Sequence, residues 1–398
     1  MSNHLPPLTQ ALKKVTKNIQ TSLTSYYEEV FYVNYDEYED PTKLEKKLSD
    51  LGIQNHIKDK YKKTAIIIDH GEPLYYVPGS QCPLQYLNLQ HCLRNAQIYS
   101  TDIILLSHGT TAEKIFVEQY VDPVLSSNHF RVLDLGLDAY RMTLLYDKKD
   151  MHSNLHRCNV PLSAMFFHHR FHRQLLAKFI LSKALQDSNM ISINSHETDF
   201  HDEFVLGSHP YSEQKTITAQ QLEKNYVLHQ RFTNDDWILD SDLQSLYDDN
   251  PIKTVAHPMI NKDFEGYYHE FLQEGYVNIV NETVFDYSVA KITEKIIYPI
   301  LIKRPFLLIG SAGSLEYFRS MGYKTFNTVI DESYDTQSDP NKRLKMIFNQ
   351  ITKIADMSKA RLDNLVKETE WICEHNYKVF CDSSVGDSFQ KKIKKTIE

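Results

Sequence analysis

The chain has 398 residues, of which 41% are hydrophobic and 24% charged; this suits two domains with sizeable cores and excludes a disordered chain. The formal net charge of −8 argues against a protein that spreads over nucleic-acid phosphates. No run approaches the roughly 20 apolar residues of a membrane span, and Met1 to Lys17 lacks the apolar core of a signal peptide, so a cytoplasmic protein is expected.

Residues 1 to about 60 are polar and acidic-aromatic, with Tyr26-Tyr27-Glu28-Glu29 and Tyr35-Asp36-Glu37-Tyr38-Glu39-Asp40, and read as helices and loops on the outside of a first domain. Short apolar runs follow, each closed by polar and glycine residues. Ala65 to Ile68 runs into Asp69-His70-Gly71-Glu72-Pro73, Ile103 to Leu106 into Ser107-His108-Gly109, and Phe130 to Leu135 into Gly136. Continuous runs of this kind predict buried parallel strands, and their alternation with helical patterns predicts βαβ construction.

A second series opens near Pro161. Ala164 to Phe167 reads as a strand, Gln174 to Leu185 as a helix, Val277 to Val280 as a strand, Thr293 to Ile302 as a helix and Phe306 to Ile309 as a strand. The last strand closes on Gly310-Ser311-Ala312-Gly313 and a helix from Ser314 to Met321. The stretch from roughly 195 to 255 is acidic and weakly periodic, as expected of loops and helices decorating the second sheet. From Pro340 onward Leu344, Ile347, Ile351 and Ile354 recur at helical spacing, and a stripe continues through Leu362, Leu365 and Ile372. The predicted organisation is an α/β chain of two Rossmann-like domains facing a cleft, 1–160 and 161–340, with helices of 341–398 crossing back onto the first.

The five cysteines, Cys82, Cys92, Cys158, Cys373 and Cys381, form no C-x-x-C pair, which fits a reducing compartment and gives no thiolate zinc site. No Walker loop, G-x-G-x-x-G or G-x-S-x-G occurs, so nothing supports a P-loop ATPase, a nicotinamide dehydrogenase or a serine hydrolase elbow.

Thr293-Glu294-Lys295 stands between a strand ending in Asn281-Glu282-Thr283 and the strand Pro305 to Ile309. At a helix start Thr293 can act as cap, the first-turn N–H groups face an anion, and Lys295 adds a full positive charge. Glu294 or Glu282 can accept the paired hydroxyls of a ribose. These residues suit a nucleoside diphosphate. As isolated features they are equally first-turn decoration and a solvated strand end.

Asn278-Ile279-Val280-Asn281-Glu282-Thr283, Ile292-Thr293-Glu294-Lys295 and Arg304 to Gly310 together resemble the donor-site signature of fucosyltransferase-type glycosyltransferases of the GT-B architecture. With Gly322 to Phe326 and Asp331 to Asp335, the chain is also similar to phage-encoded glycosyltransferase-like proteins. The resemblance covers roughly residues 162 to 345, and departs from the family at Glu282, where the order is Asn-Glu rather than Glu-Asn. It implies a nucleotide-sugar donor, a hydroxyl acceptor (a glycan, a modified DNA base or a small molecule), and no cofactor or metal. It also implies an arginine to the donor diphosphate at the junction Phe167-His168-His169-Arg170-Phe171-His172-Arg173, by position Arg173, with Arg170 as the alternative. A guanidinium fork suits phosphate oxygens.

The three histidines of that junction also admit structural or metal-binding readings. His196 to Glu203 is a second His and acidic cluster, which reads better as a solvated loop than as the metal site of a hydrolase, and Asp240-Ser241-Asp242 as a chance D-x-D. Asp69, Glu72 and His108, just past predicted strands, are the candidate bases for deprotonating an acceptor hydroxyl, and each is also an ordinary turn residue. The reading that follows is a metal-independent glycosyltransferase. A metal-dependent hydrolase and a non-catalytic nucleotide-binding protein are the alternatives.

Overall fold

The computed structural model describes residues 8–34, 41–51, 64–69, 84–98, 101–107, 129–135, 137–138, 141, 158–167, 171–185, 188–194, 238–249, 272–282, 285, 290, 292–382 and 385–397. The chain divides into two compact units, one of residues 5–149 with 381–398, the other essentially residues 150–380.

The first unit holds α1 (Leu8–Leu23), β1 (Glu29–Val33), α2 (Pro41–Asp50), β2 (Thr64–Asp69), α3 (Leu84–Asn95), β3 (Asp102–Ser107) and β4 (His129–Asp134). The strands form one all-parallel sheet in the order β1-β2-β3-β4. Right-handed crossovers that always step in one direction place their helices on one face. Accordingly α2 and α3 cover a single face, where Leu44, Leu48, Leu89 and Leu93 pack on Ile66, Ile68, Ile103 and Leu105. The alternate residues Ala65, Ile67, Ile104 and Leu106 point to the other face. There they are covered by Val15, Ile19 and Leu23 of α1 and by Phe389, Ile393 and Ile397 of the last helix, α10 (Val385–Ile397).

The second unit holds β5 (Val160–Phe167), α4 (Phe171–Ser182), β6 (Met190–Asn194), α5 (Ser241–Asp249), β7 (Gly275–Asn281), α6 (Ile297–Leu301), β8 (Phe306–Ile309), α7 (Ser314–Ser320), α8 (Pro340–Ala355) and α9 (Lys359–Cys381). Its strands are also all parallel, in the order β6-β5-β7-β8. Gly275 permits the pairing of β5 with β7, because a Cβ there would lie 2.6 Å from the Ser163 backbone nitrogen. Asp339 caps α8 by accepting the Asn341 and Lys342 N–H groups, with Pro340 at the first helical position.

The structure differs from the sequence reading at several points. Glu29–Val33 is a strand where only helices and loops are expected, and Met190–Asn194 is a strand that the periodicity does not mark. Both are edge strands; Ser192 interrupts the apolar run of β6, while the half-buried run Val30 to Val33 of β1 lies within an acidic-aromatic stretch. The helix expected from Thr293 is a 3₁₀ turn, Glu294–Ile296, followed by the five residues of α6. Of the helices in 341–398, α8 and nearly all of α9 belong to the second unit, and α10 to the first. Asp240 and Asp242 form ion pairs with Lys345 at 2.7 and 2.9 Å, so they fasten the start of α5 to α8.

Candidate functional site in the second unit

In the order β6-β5-β7-β8 the chain steps outward from β5 in one direction to β6 and in the other to β7 and β8. The junction of β5 and β7 is therefore a topological switch point, the place at which open parallel α/β sheets generally bind ligands. The described strands of the first sheet, in simple sequential order, contain no such reversal.

Several of the sequence-predicted residues meet at this switch point. Arg173, in the first turn of α4, is 3% exposed and donates from Nη2 to the carbonyls of Asn281 and Glu282, both at 3.0 Å. His172, 4% exposed, lies with Nε2 at 3.0 Å from the Glu282 carbonyl. A carbonyl only accepts, so that nitrogen carries the proton. The imidazole stacks on Phe285, and Arg343 of α8 lies over the same ring with its guanidinium 4.4 Å from the centroid.

Glu282 follows directly on β7 and is fully buried. Its Oε1 accepts the Thr293 N–H at 3.0 Å and its Oε2 accepts the Thr293 hydroxyl at 2.6 Å. The same hydroxyl oxygen accepts from Lys295 Nζ at 3.0 Å. A buried carboxylate thus fixes a threonine, and the threonine fixes a half-buried ammonium at the edge of the sheet. This arrangement corrects two expectations about the region. Thr293 does not cap a helix, since its hydroxyl oxygen accepts from Lys295 Nζ and the element that follows is a three-residue 3₁₀ turn, too short to build a macrodipole. Glu282 has both oxygens bound, so in this structure it holds the turn instead of presenting a face to a ribose.

The turn after β8 is likewise committed. Asp335 accepts the Leu315 and Glu316 N–H groups at 2.9 and 3.1 Å, and its carbonyl accepts from Gly313, which has φ 80°. A protein carboxylate therefore occupies the N-terminus of α7. In contrast, the side-chain polar atoms of Asn281, Ser311 Oγ and Ser314 Oγ are buried without a hydrogen-bond partner among the described residues. They border Gly310, where a Cβ would lie 3.0 Å from Ser314 Oγ and 3.7 Å from Glu282 Cβ. Leaving such groups unsatisfied costs about 1–3 kcal/mol each, so a cluster at strand ends calls for an explanation beyond packing.

Beside this edge, Glu332 and Asp335 share Arg319 at 3.4 and 3.9 Å. Burial pushes both carboxyls above the ordinary carboxylate range, against the lowering effect of hydrogen bonds from the Thr325 hydroxyl and Phe326 N–H to Glu332 and from two backbone N–H groups to Asp335. A carboxyl raised in the folded state contributes its stability below its unfolded value near 4, and loses it as pH rises through the folded value. Glu332→Gln is therefore expected to lose less stability than wild type as pH rises from about 4 to about 8, read as urea midpoints at both. Parallel pH profiles for the two proteins would remove Glu332 from that account.

Of the remaining sequence-predicted residues, Arg170, Glu72 and His108 lie outside the described residues, as do His168, His169 and the cluster His196 to Glu203. Asp69 closes β2 and Glu294 opens the 3₁₀ turn, but their side chains also lie outside. Among the described residues no group of three His, Cys, Asp or Glu side chains could hold a metal ion, and no helix is long and apolar enough to cross a membrane. Sequence reasoning missed Arg343 and Phe285, which reach the site only through the fold, and marked Asp335 only as part of a similar segment, with no role.

The chain is thus a mixed α/β protein of two parallel-sheet units, with a buried Arg, Glu and Thr network and a lysine at the switch point of the second sheet. No family profile and no curated protein matches it. Among solved structures, that of T4 phage BGT in complex with its UDP-glucose substrate is similar at a TM-score of 0.39 and 11% identity, over 89% of this chain and 77% of that one. A likeness this slight carries no argument for function.

Proposed function

We propose that the chain is a glycosyltransferase that binds a nucleoside diphosphate sugar at the carboxyl edge of its second sheet. The observation that carries the reading is the convergence of Arg173, Glu282, Thr293 and Lys295, from three separate segments, on the switch point of a parallel sheet. Lys295 is the cation that meets the diphosphate, held in place by the Glu282–Thr293 pair so that little side-chain entropy is lost when phosphate binds. A positive charge fixed before the reaction stabilises the charge that develops on a departing diphosphate. Glu294 stands one residue before that lysine and takes the ribose hydroxyls, while Arg173 keeps the end of β7 and the start of α4 together under the diphosphate. The unsatisfied polar atoms of Asn281, Ser311 and Ser314 at the same edge favour a polar ligand over an apolar one. The acceptor is a hydroxyl compound, and Asp69, Glu72 and His108 stay the candidates for its base.

The test is thermal stability of wild type and Lys295→Ala against UDP, GDP, ADP, CMP and dTDP. One nucleotide at about 100 times its dissociation constant is expected to stabilise wild type by about 2.7 kcal/mol and to leave Lys295→Ala unmoved. Absence of any shift in wild type, or an equal shift in the variant, would overturn the reading.

A further inference from the structure

The lysine-rich stretch from Lys391 to Lys395 forms part of a structured surface. α10 is amphipathic, with Phe389, Ile393 and Ile397 buried on the first sheet and Lys391, Lys394 and Lys395 exposed. It packs beside α1, where Gln390 donates to Ser22 Oγ at 2.7 Å. α1 contains Lys13, Lys14 and Lys17 and not one acidic residue, and Lys17 is exposed. α10 contains four lysines and a single acid, Asp387. Lys392 is committed to Asp138 at 2.5 Å. Two paired helices thus concentrate positive charge in a chain with 52 acidic and 44 basic residues.

Like charges at spacings of three and four on one helix face repel each other, so the arrangement favours an anionic partner. A bilayer is a poor partner, because interfacial helices need a free apolar face, and here the apolar faces are spent on the sheet. An unpaired strand is also a poor partner. α1 has no aromatic residue and α10 only the buried Phe389, so neither helix offers a platform for stacking bases. We propose that the α1–α10 face binds the phosphate backbone of a nucleic-acid duplex without reading its sequence. The proposal is independent of the donor reading, and its test measures binding alone.

The measurement is fluorescence anisotropy of a labelled DNA duplex of about 20 base pairs, titrated with the full chain at about 50 and 200 mM salt. Lys391→Glu with Lys395→Glu forms the test pair, and Lys367→Glu with Lys378→Glu, exposed on α9 in the other unit, forms a control of equal charge change. Wild type and the control pair are expected to bind alike, with affinity falling steeply as salt rises. The test pair should bind about tenfold or more weakly, and its salt slope should be shallower by about 0.9 for each phosphate that a lysine no longer neutralises. Lack of duplex binding at the lower salt, an equal loss in the control pair, tighter binding of the single strand, or binding to anionic phospholipid vesicles without duplex binding would each overturn it. Matching urea midpoints of the two pairs will show that neither result comes from unfolding.

Discussion

Glu282→Ala is expected to destabilise the second unit by about 2–4 kcal/mol and to abolish its response to nucleotide. The side chain is fully buried, and its removal leaves the N–H and hydroxyl of Thr293, itself 4% exposed, with no acceptor. The ammonium of Lys295 then loses the hydroxyl oxygen whose orientation Glu282 sets. Urea unfolding gives the first effect, and a nucleotide-induced rise in thermal midpoint the second. Thr293→Val separates a residue that acts through Thr293 from one that meets the ligand directly. If Glu282 works through Thr293, the double variant Glu282→Ala with Thr293→Val will lose less than the sum of the single losses, with a coupling of about 0.5–3 kcal/mol. Strict additivity, or a stability loss within about 0.5 kcal/mol for Glu282→Ala, would break the line of interactions from Glu282 to Lys295.

Arg343→Met should cost about 3–5 kcal/mol, although the methionine nearly preserves the buried volume. Arg343 is 1% exposed and donates to the carbonyls of Gln337, Ser338 and Phe285. These carbonyls lie in segments that leave regular structure, so no ladder can take over the lost hydrogen bonds. Phe285, which packs on both Arg343 and His172, also loses a wall, and with it the end of β7 loses support. Arg343→Lys should recover only part of the loss, because an ammonium cannot reproduce the planar fork of a guanidinium. Unfolding midpoints of the two variants decide the matter. A Met variant as stable as wild type would mean that the three carbonyls find other donors.

The central strands were legible in the sequence because buried parallel strands are apolar on both faces. Ile66 to Ile68 and Ile103 to Leu106 show it in the middle of the first sheet, and Phe306 to Ile309, fully buried at the end of the second sheet's order, shows it as well. β6 was not, since Ser192 interrupts its apolar run, and β1 was not, since its run Val30 to Val33 lies in an acidic-aromatic stretch that reads as surface helices and loops. The T-E-K segment was legible as a polar, charged interruption between strands. Its internal wiring was not, because nothing local indicates that a carboxylate eleven residues upstream will bind both donors of Thr293.

By itself, the sequence determined that this is a parallel α/β chain with charged residues beyond its strand ends, since apolar runs and their polar closures are local properties. Only the tertiary structure decided where those residues meet. The order β6-β5-β7-β8 creates the switch point at β5 and β7, and that order depends on pairings across more than a hundred residues, such as Leu162 with Val277. The order β1-β2-β3-β4 sends the crossover helices to one face and leaves the other bare, so α1 and α10 must close it. The burial of that apolar face holds residues 385–397 as a helix and turns Lys391, Lys394 and Lys395 outward, while Lys392 pairs with Asp138.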